Sequence, residues 1–310
     1  MRGQSLASAA FDDPPPPIML AFGLTIFTGA FLLFLVQPLI AKFILPWFGG
    51  SPAVWTTCML FFQVLLLGGY AYAHLSIRRL KPRQQVWLHL VLLAVALSLL
   101  PITPGEHWKP LDGSHPAWRI LLLLGRCLGL PYLVLSATGP LFQAWFSEAH
   151  PGVSPYRLYA LSNVGSLLAL VSYPFAMEPN LSRHAQAVAW SLGLGVFAVL
   201  AAWCGVKVWR RAVSEGESAQ ARKRESEEVP APAANSPAPH RWLWFALPAC
   251  GSVLLLAVTN KICQDIAVIP FLWVLPLSLY LLSFIISFDS PRWYWRPVWL
   301  TALVLALGTV

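Results

Sequence analysis

Charge is what this sequence has least of. Of its 310 residues only 11% are Asp, Glu, Lys or Arg, against about 25% in an ordinary soluble domain. A soluble chain this long needs more charged side chains to cover its surface, so a soluble globular fold is excluded. Patterned cysteine is also lacking: Cys58, Cys127, Cys204, Cys250 and Cys263 stand singly. With no C-x-x-C and no His at ligand spacing, zinc, redox and disulfide-framework readings have nothing to rest on, and the five read as small apolar fillers. A G-x-G-x-x-G turn and an Asp-rich catalytic run are missing too. No cofactor and no enzymatic activity is therefore expected from these residues.

What is present is apolar. Hydrophobic residues make up 57% of the chain and the mean hydropathy is +0.63. The net charge of +8 admits a nucleic-acid reading, but 27 prolines, 15 tryptophans and long uncharged runs fit a bilayer better. A helix needs about 20 apolar residues to cross the hydrocarbon core. Eight complete runs meet that need, at 18–45, 53–75, 86–103, 119–146, 156–175, 186–208, 242–259 and 266–288, and a ninth begins at 297. The ninth is cut short at Val310, so a longer protein is expected. The first run is 28 residues long and has no small-residue cleavage site after it, so it reads as a retained span and not as a signal peptide.

Basic residues set the orientation. With the N-terminus in the cytoplasm, 15 of the 21 Lys and Arg fall on the inner side, including Arg78, Arg79, Lys81, Arg83, Lys207, Arg210 and Arg211. Trp47, Trp55, Trp108 and Trp118 then mark outer ends, and Trp87, Trp145, Trp209 and Trp242 inner ones, as interfacial belts do. Residues 212–240 are charged and then Pro/Ala-rich, without apolar periodicity. The expected organisation is a disordered cytoplasmic N-terminus over 1–17, a six-helix membrane half over 18–208, a disordered linker over 209–241 and the start of a second half over 242–310.

Two stretches look like a repeat. FLVQPLIAKFILPWFGGSPAVW ends the first span and VLSATGPLFQAWFSEAHPGVSPYRLY the fourth. Each carries a Pro, an apolar turn, a Trp-Phe pair and a Gly/Ser-Pro hairpin, and the two spans exit on opposite sides, as units of inverted topology do. The stretch LFLVQPLIAKFILPWFGGSPAVWTTCMLFFQVLLLGGYAYAH, with GLPYLVLSATGPLFQAWF, YRLYALSNVGSLLALVSYPF and DIAVIPFLWVLPLSLYLLSFI, resembles the membrane module of bacterial proteins in which major-facilitator-like helices are fused to a spermidine-synthase-like domain. The resemblance covers most helices from 31 to 288. It implies an all-α, polytopic, major-facilitator-like fold in a bacterial inner membrane, and an amine-related solute. The synthase-like domain itself has no counterpart in this chain. In the basic loop GGYAYAHLSIRRLKPRQQ, His74 stands near where facilitators carry an acidic residue.

Polar side chains inside spans are costly unless paired or facing a cavity, which makes them the functional candidates. On the second span Thr56, Gln63, Tyr70 and His74 share a face, and on the fifth Tyr159, Asn163, Ser166 and Tyr173 do. Ser162, Gly165, Ser166 and Ala169 also supply small-xxx-small pairs for close helix approach. Gln37 precedes Pro38, which should free a carbonyl and kink the first span. Arg126 lies two turns inside the fourth span. The candidate substrate path is thus Gln37, Gln63, Tyr70, His74, Arg126, Asn163 and Ser166, and Lys42 and Asp265 form a candidate ion pair at the outer interface. Glu106, His107, Asp112 and His115 share one loop at spacing too loose for a metal site.

Three functional readings follow. The first is a transporter-like module for a small cationic metabolite, polyamine-related through the family resemblance. The second is a non-transporting membrane anchor for a synthase-like domain. The third is an ABC-type permease subunit, against which stands the lack of a Glu-Ala-Ala plus Gly pattern in any cytoplasmic loop. The partner expected in every case is the lipid bilayer, with no nucleic acid.

Overall fold

The computed structural model describes residues 17–49, 51–105, 108–109, 116–150, 156–223, 242–265, 274–289 and 295–308. Every regular element among them is helical: α1 (Pro17–Phe48), α2 (Pro52–Arg79), α3 (Pro82–Ser98), α4 (Pro116–Ala149), α5 (Tyr156–Ser172), a π-helical turn (Tyr173–Met177), α6 (Glu178–Asn180), α7 (Arg183–Lys223), α8 (Leu243–Asp265), α9 (Val274–Asp289) and α10 (Arg296–Gly308). Five stretches are long and apolar enough to cross a bilayer: Leu20–Phe48, Ala53–Arg79, Pro116–Ala149, Arg157–Asn180 and Arg183–Val213. The chain is read as a helical multi-pass membrane protein on that basis.

Proline punctuates the helices. Pro52 and Pro82 occupy first-turn positions in α2 and α3, where the missing N–H costs nothing, and α4 opens on Pro116. At the other end of α1, Gly49 has φ +86° and its N–H bonds the Leu45 carbonyl at 2.9 Å. This left-handed closing residue favours glycine. Pro174 cannot donate to the helix ladder, and the backbone widens there into the π turn before running on as α6. Ser182 then caps α7, its Oγ accepting from Ala185 N–H at 3.2 Å.

Some boundaries differ from the sequence expectation. α3 starts at Pro82, where the Lys81 and Gln84 groups bond reciprocally, and it stops at Ser98 ahead of Pro101, not at 103. α7 does not end at 208. It runs to Lys223, because RRAVSEGESAQARK is rich in helix formers and contains no proline. The linker expected from 209 is therefore helical over its first part, and 224–241 lies outside the described residues. α8 reaches Asp265, and 266–273, the start of the expected eighth run, also lies outside them.

α1 is the centre of the packing. More of its most apolar 18-residue window is buried, 67%, than of any other membrane-length helix, against 28% for α2. It lies against α4, α5 and α7, while α2 lies against α4, α3 against α4 and α7, and α5 against α9. These pairings follow a rule. Exchanging the triplet α1, α2, α3 with α4, α5, α7 turns the α1/α5 packing into α4/α2, turns α1/α7 into α4/α3, and leaves α1/α4 and α3/α7 unchanged. The two broadest seams, α2/α4 and α1/α5, are related by that exchange. Each is closed by a glycine. A Cβ on Gly69 would come within 2.9 Å of the Leu133 carbonyl of α4, and one on Gly165 within 2.6 Å of the Phe27 carbonyl of α1. The small-residue spacing on α5 thus marks where it meets α1.

Candidate functional site

The polar side chains gather in three places, each between several helices. The first lies where α1, α2, α4 and α5 approach one another. Gln37, 7% exposed, donates from Nε2 to the Tyr132 hydroxyl at 3.3 Å. Tyr132 is fully buried and packs on Phe62 with ring centres 5.1 Å apart. Tyr70 of α2 and Tyr159 of α5 lie on the helices that flank the Gln37–Tyr132 pair, α2 packed against α4 and α5 against α1. Tyr159 stacks in turn on Phe288 of α9 at 5.5 Å. Tyr70 and Tyr159 are half exposed, so the group opens from a buried amide to two accessible aromatic rings. Such rings present π faces that attract cations.

Gln37 reaches Tyr132 of α4, a residue that sequence reasoning did not single out, while Tyr70 lies on α2, the helix packed against α4. Other candidates lie elsewhere. Ser166 is buried but bonds the Ser162 carbonyl of its own helix, and Asn163 bonds the Tyr159 carbonyl one turn back. Gln63 and His74 are exposed on α2, with His74 Nε2 3.5 Å from Arg78 Nη1. Arg126 is exposed with Leu122 and Gly125 on one face of α4, while Leu123, Leu124, Leu128 and Tyr132 are buried on the other. The helical period accounts for this division.

The second group was not foreseen. His89 of α3 is completely buried among aromatic rings: stacked on Tyr72 at 6.1 Å, edge-on to Phe142 at 5.6 Å and to Trp145 at 5.9 Å. Its Nδ1 lies 3.4 Å from the Tyr72 hydroxyl, and Nε2 has no hydrogen-bond partner among the described residues. One turn earlier Gln85 accepts from the Trp145 indole N–H at 2.9 Å and donates to the Leu80 carbonyl at 2.9 Å. The available signal was the i, i+4 spacing of Gln85 and His89 inside an apolar run. This group knits α2, α3 and α4 together, giving Tyr72 and Trp145 the polar partners that buried amphipathic rings need.

The third group closes the far end of the α1/α5 seam. Lys42 pairs with Glu178, Nζ to Oε1 2.7 Å, and the Asp265 side chain lies outside the described residues. The π turn carries the fifth span past Pro174 and brings Glu178 beside α1. Lys42 also lies 5.8 Å from the centre of the Tyr173 ring, and the Tyr173 hydroxyl donates to the Pro38 carbonyl at 3.3 Å. Arg183 donates to the Lys42 carbonyl at 3.5 Å and lies over Phe43.

No metal-ligating cluster of three or more His, Cys, Asp or Glu occurs among the described residues. Of the loop group, Glu106, His107, Asp112 and His115 lie outside them. No protein-family model, no curated protein and no solved structure matches the chain.

Proposed function

We propose that the chain is a transporter-like membrane module, facilitator-like in construction, for a small cationic metabolite of the polyamine kind. The observation that supports this most is the exchange of packing partners between α1, α2, α3 and α4, α5, α7. Two three-helix units related in this way are how inverted-repeat transporters place a path at the unit interface. The Gln37–Tyr132 pair, with Tyr70 and Tyr159 on the adjoining α2 and α5, lies at such an interface and offers amide and π-face contacts to an amine. In this reading the chain has eight complete spans in a bacterial inner membrane, with its N-terminus in the cytoplasm, as the basic residues favour.

Uptake by proteoliposomes tests the proposal. Radiolabelled spermidine should accumulate above protein-free liposomes, and Tyr70→Ala and Gln37→Ala should each cut the rate about tenfold, the equivalent of ~1.4 kcal/mol. Uptake equal to that of protein-free liposomes overturns it and favours the anchor reading. Uptake insensitive to both substitutions removes the tyrosine group from the path.

A further inference from the structure

We infer that the cleft between α3 and α7 is a binding site for one anionic phospholipid. Two cavities adjoin there. One, of about 280 Å3, runs between Val86 and Leu90 of α3 and Val206 of α7. The other, of about 420 Å3, lies at the α3 N-terminal end beside Arg83 and Gln84. Trp87 and Trp209 border both, so the two form one continuous cleft that is apolar at its inner part and basic at its mouth.

The charge distribution is one-sided. Arg83 is exposed and donates one Nη2 bond to the Ala212 carbonyl at 3.4 Å, which fixes its guanidinium over α7 with further N–H groups at the mouth. Lys81 stands two residues before it, and Lys207 and Arg210 follow on α7, all exposed. Neither α3 nor residues 183–213 of α7 contain an Asp or Glu. Among the described side chains, a phosphodiester at Arg83 would therefore meet basic groups; Glu215, one turn beyond Ala212 on α7, lies outside them.

Trp87, 63% exposed, and Trp209, 38% exposed, have the amphipathic rings that settle at headgroup level. An acyl chain running inward from there lies along Val86, Leu90 and Val206. A basic pocket between membrane helices with an apolar floor is the arrangement that holds an acidic headgroup and its chain together. A zwitterionic lipid would occupy the same floor but bring its own cation to a mouth that is already cationic. The site is separate from the tyrosine group and does not depend on transport.

Native mass spectrometry of the full chain in detergent, with equal phosphatidylglycerol and phosphatidylcholine supplied, tests this. One phosphatidylglycerol should be retained in preference to phosphatidylcholine. Arg83→Gln should lower that preference about fivefold, the ratio set by ~1 kcal/mol for a basic side chain at an anionic surface. Val206→Trp, which fills the floor, should lower retention of both lipids, and Arg119→Gln on α4 should leave the preference unchanged. Arg83 is exposed, so its substitution leaves the packing intact and its result stands even if Val206→Trp does not fold. Equal retention of the two lipids by the unaltered protein, or an Arg83→Gln preference equal to that of Arg119→Gln, overturns the inference. Displacement of phosphatidylglycerol by inorganic phosphate also overturns it, because the mouth would then read a free anion and the floor would contribute nothing.

Discussion

The α1/α5 and α2/α4 seams have one geometry and two chemistries. Both are closed by a glycine against backbone, Gly165 on Phe27 and Gly69 on Leu133 and Ala137. The α2/α4 seam continues into a neutral, fully buried network around His89, Gln85 and Trp145. The α1/α5 seam ends in a charged pair, Lys42 with Glu178, that is 29% and 43% exposed. Backbone approach is thus the shared requirement, and the polar groups are fitted to whatever depth each seam reaches.

Alanine at the two glycines strikes at what the seams share and should have the largest effect. At Gly69 the added Cβ meets the Leu133 carbonyl at 2.9 Å and the Ala137 nitrogen at 3.0 Å, and at Gly165 the Phe27 carbonyl at 2.6 Å. Backbone cannot rotate aside as a side chain can, so each helix pair must separate. We expect Gly69→Ala and Gly165→Ala each to cost about 1–3 kcal/mol in thermal or denaturant unfolding in detergent. Gly125 and Gly129 of α4 have open space around them, and alanine there should instead stabilise by about 0.5–1 kcal/mol through helix propensity. Loss of this opposition of sign would break the comparison, since the seams would then not be set by backbone contact.

The next effect separates the seams. His89→Ala removes a fully buried ring from contact with Tyr72, Phe142 and Trp145, a cavity-forming change of about 2–4 kcal/mol. His89→Phe keeps the ring, deletes the Nε2 atom that has no partner among the described residues, and gives up only the 3.4 Å Nδ1 contact with the part-buried Tyr72 hydroxyl. It should cost less than about 1 kcal/mol. Trp145→Phe lies between, because it leaves the buried Gln85 oxygen without its indole donor, at about 1–3 kcal/mol. A ranking in which phenylalanine at 89 is as damaging as alanine would mean that the imidazole's polar atoms, and not its volume, hold the three helices.

How much of this was legible in the sequence follows the same division between backbone and side chain. Apolar runs located α1, α2, α4 and α5 closely, because that signal is local. The small-residue spacing on α5 pointed to its contact, and Gln37 and Tyr70 stood out as polar groups in apolar runs. His89 did not, because a single imidazole among aliphatic residues looks alike whether it is caged or lipid-facing, and only the arrival of Phe142 and Trp145 from α4 decides. Tyr132 was missed for the same reason, its role depending on a partner 95 residues away. Arg126 drew attention as a charge inside a span, yet one position of helical rotation puts it on the exposed face with Leu122. The α1, α2, α3 to α4, α5, α7 exchange was visible only as the likeness of two stretches of sequence, since partner choice is a property of packing.

The smallest effect belongs to the charged end of the α1/α5 seam, and it is the sharpest test of how that end is built. A partly exposed ion pair is worth about 0–1 kcal/mol, because water screens the charges and two long side chains must be held still. Lys42→Ala and Glu178→Ala should therefore each lower stability by no more than about 1 kcal/mol, with a coupling of a few tenths in a double-mutant cycle. Lys42→Glu combined with Glu178→Lys should recover most of what either reversal alone loses. Glu178 is in reach only because the Tyr173–Met177 π turn carries the helix past Pro174. If the cycle shows coupling between Lys42 and Asp265 and none with Glu178, the turn does not persist in the bilayer, and the two seams differ in backbone as well as in chemistry.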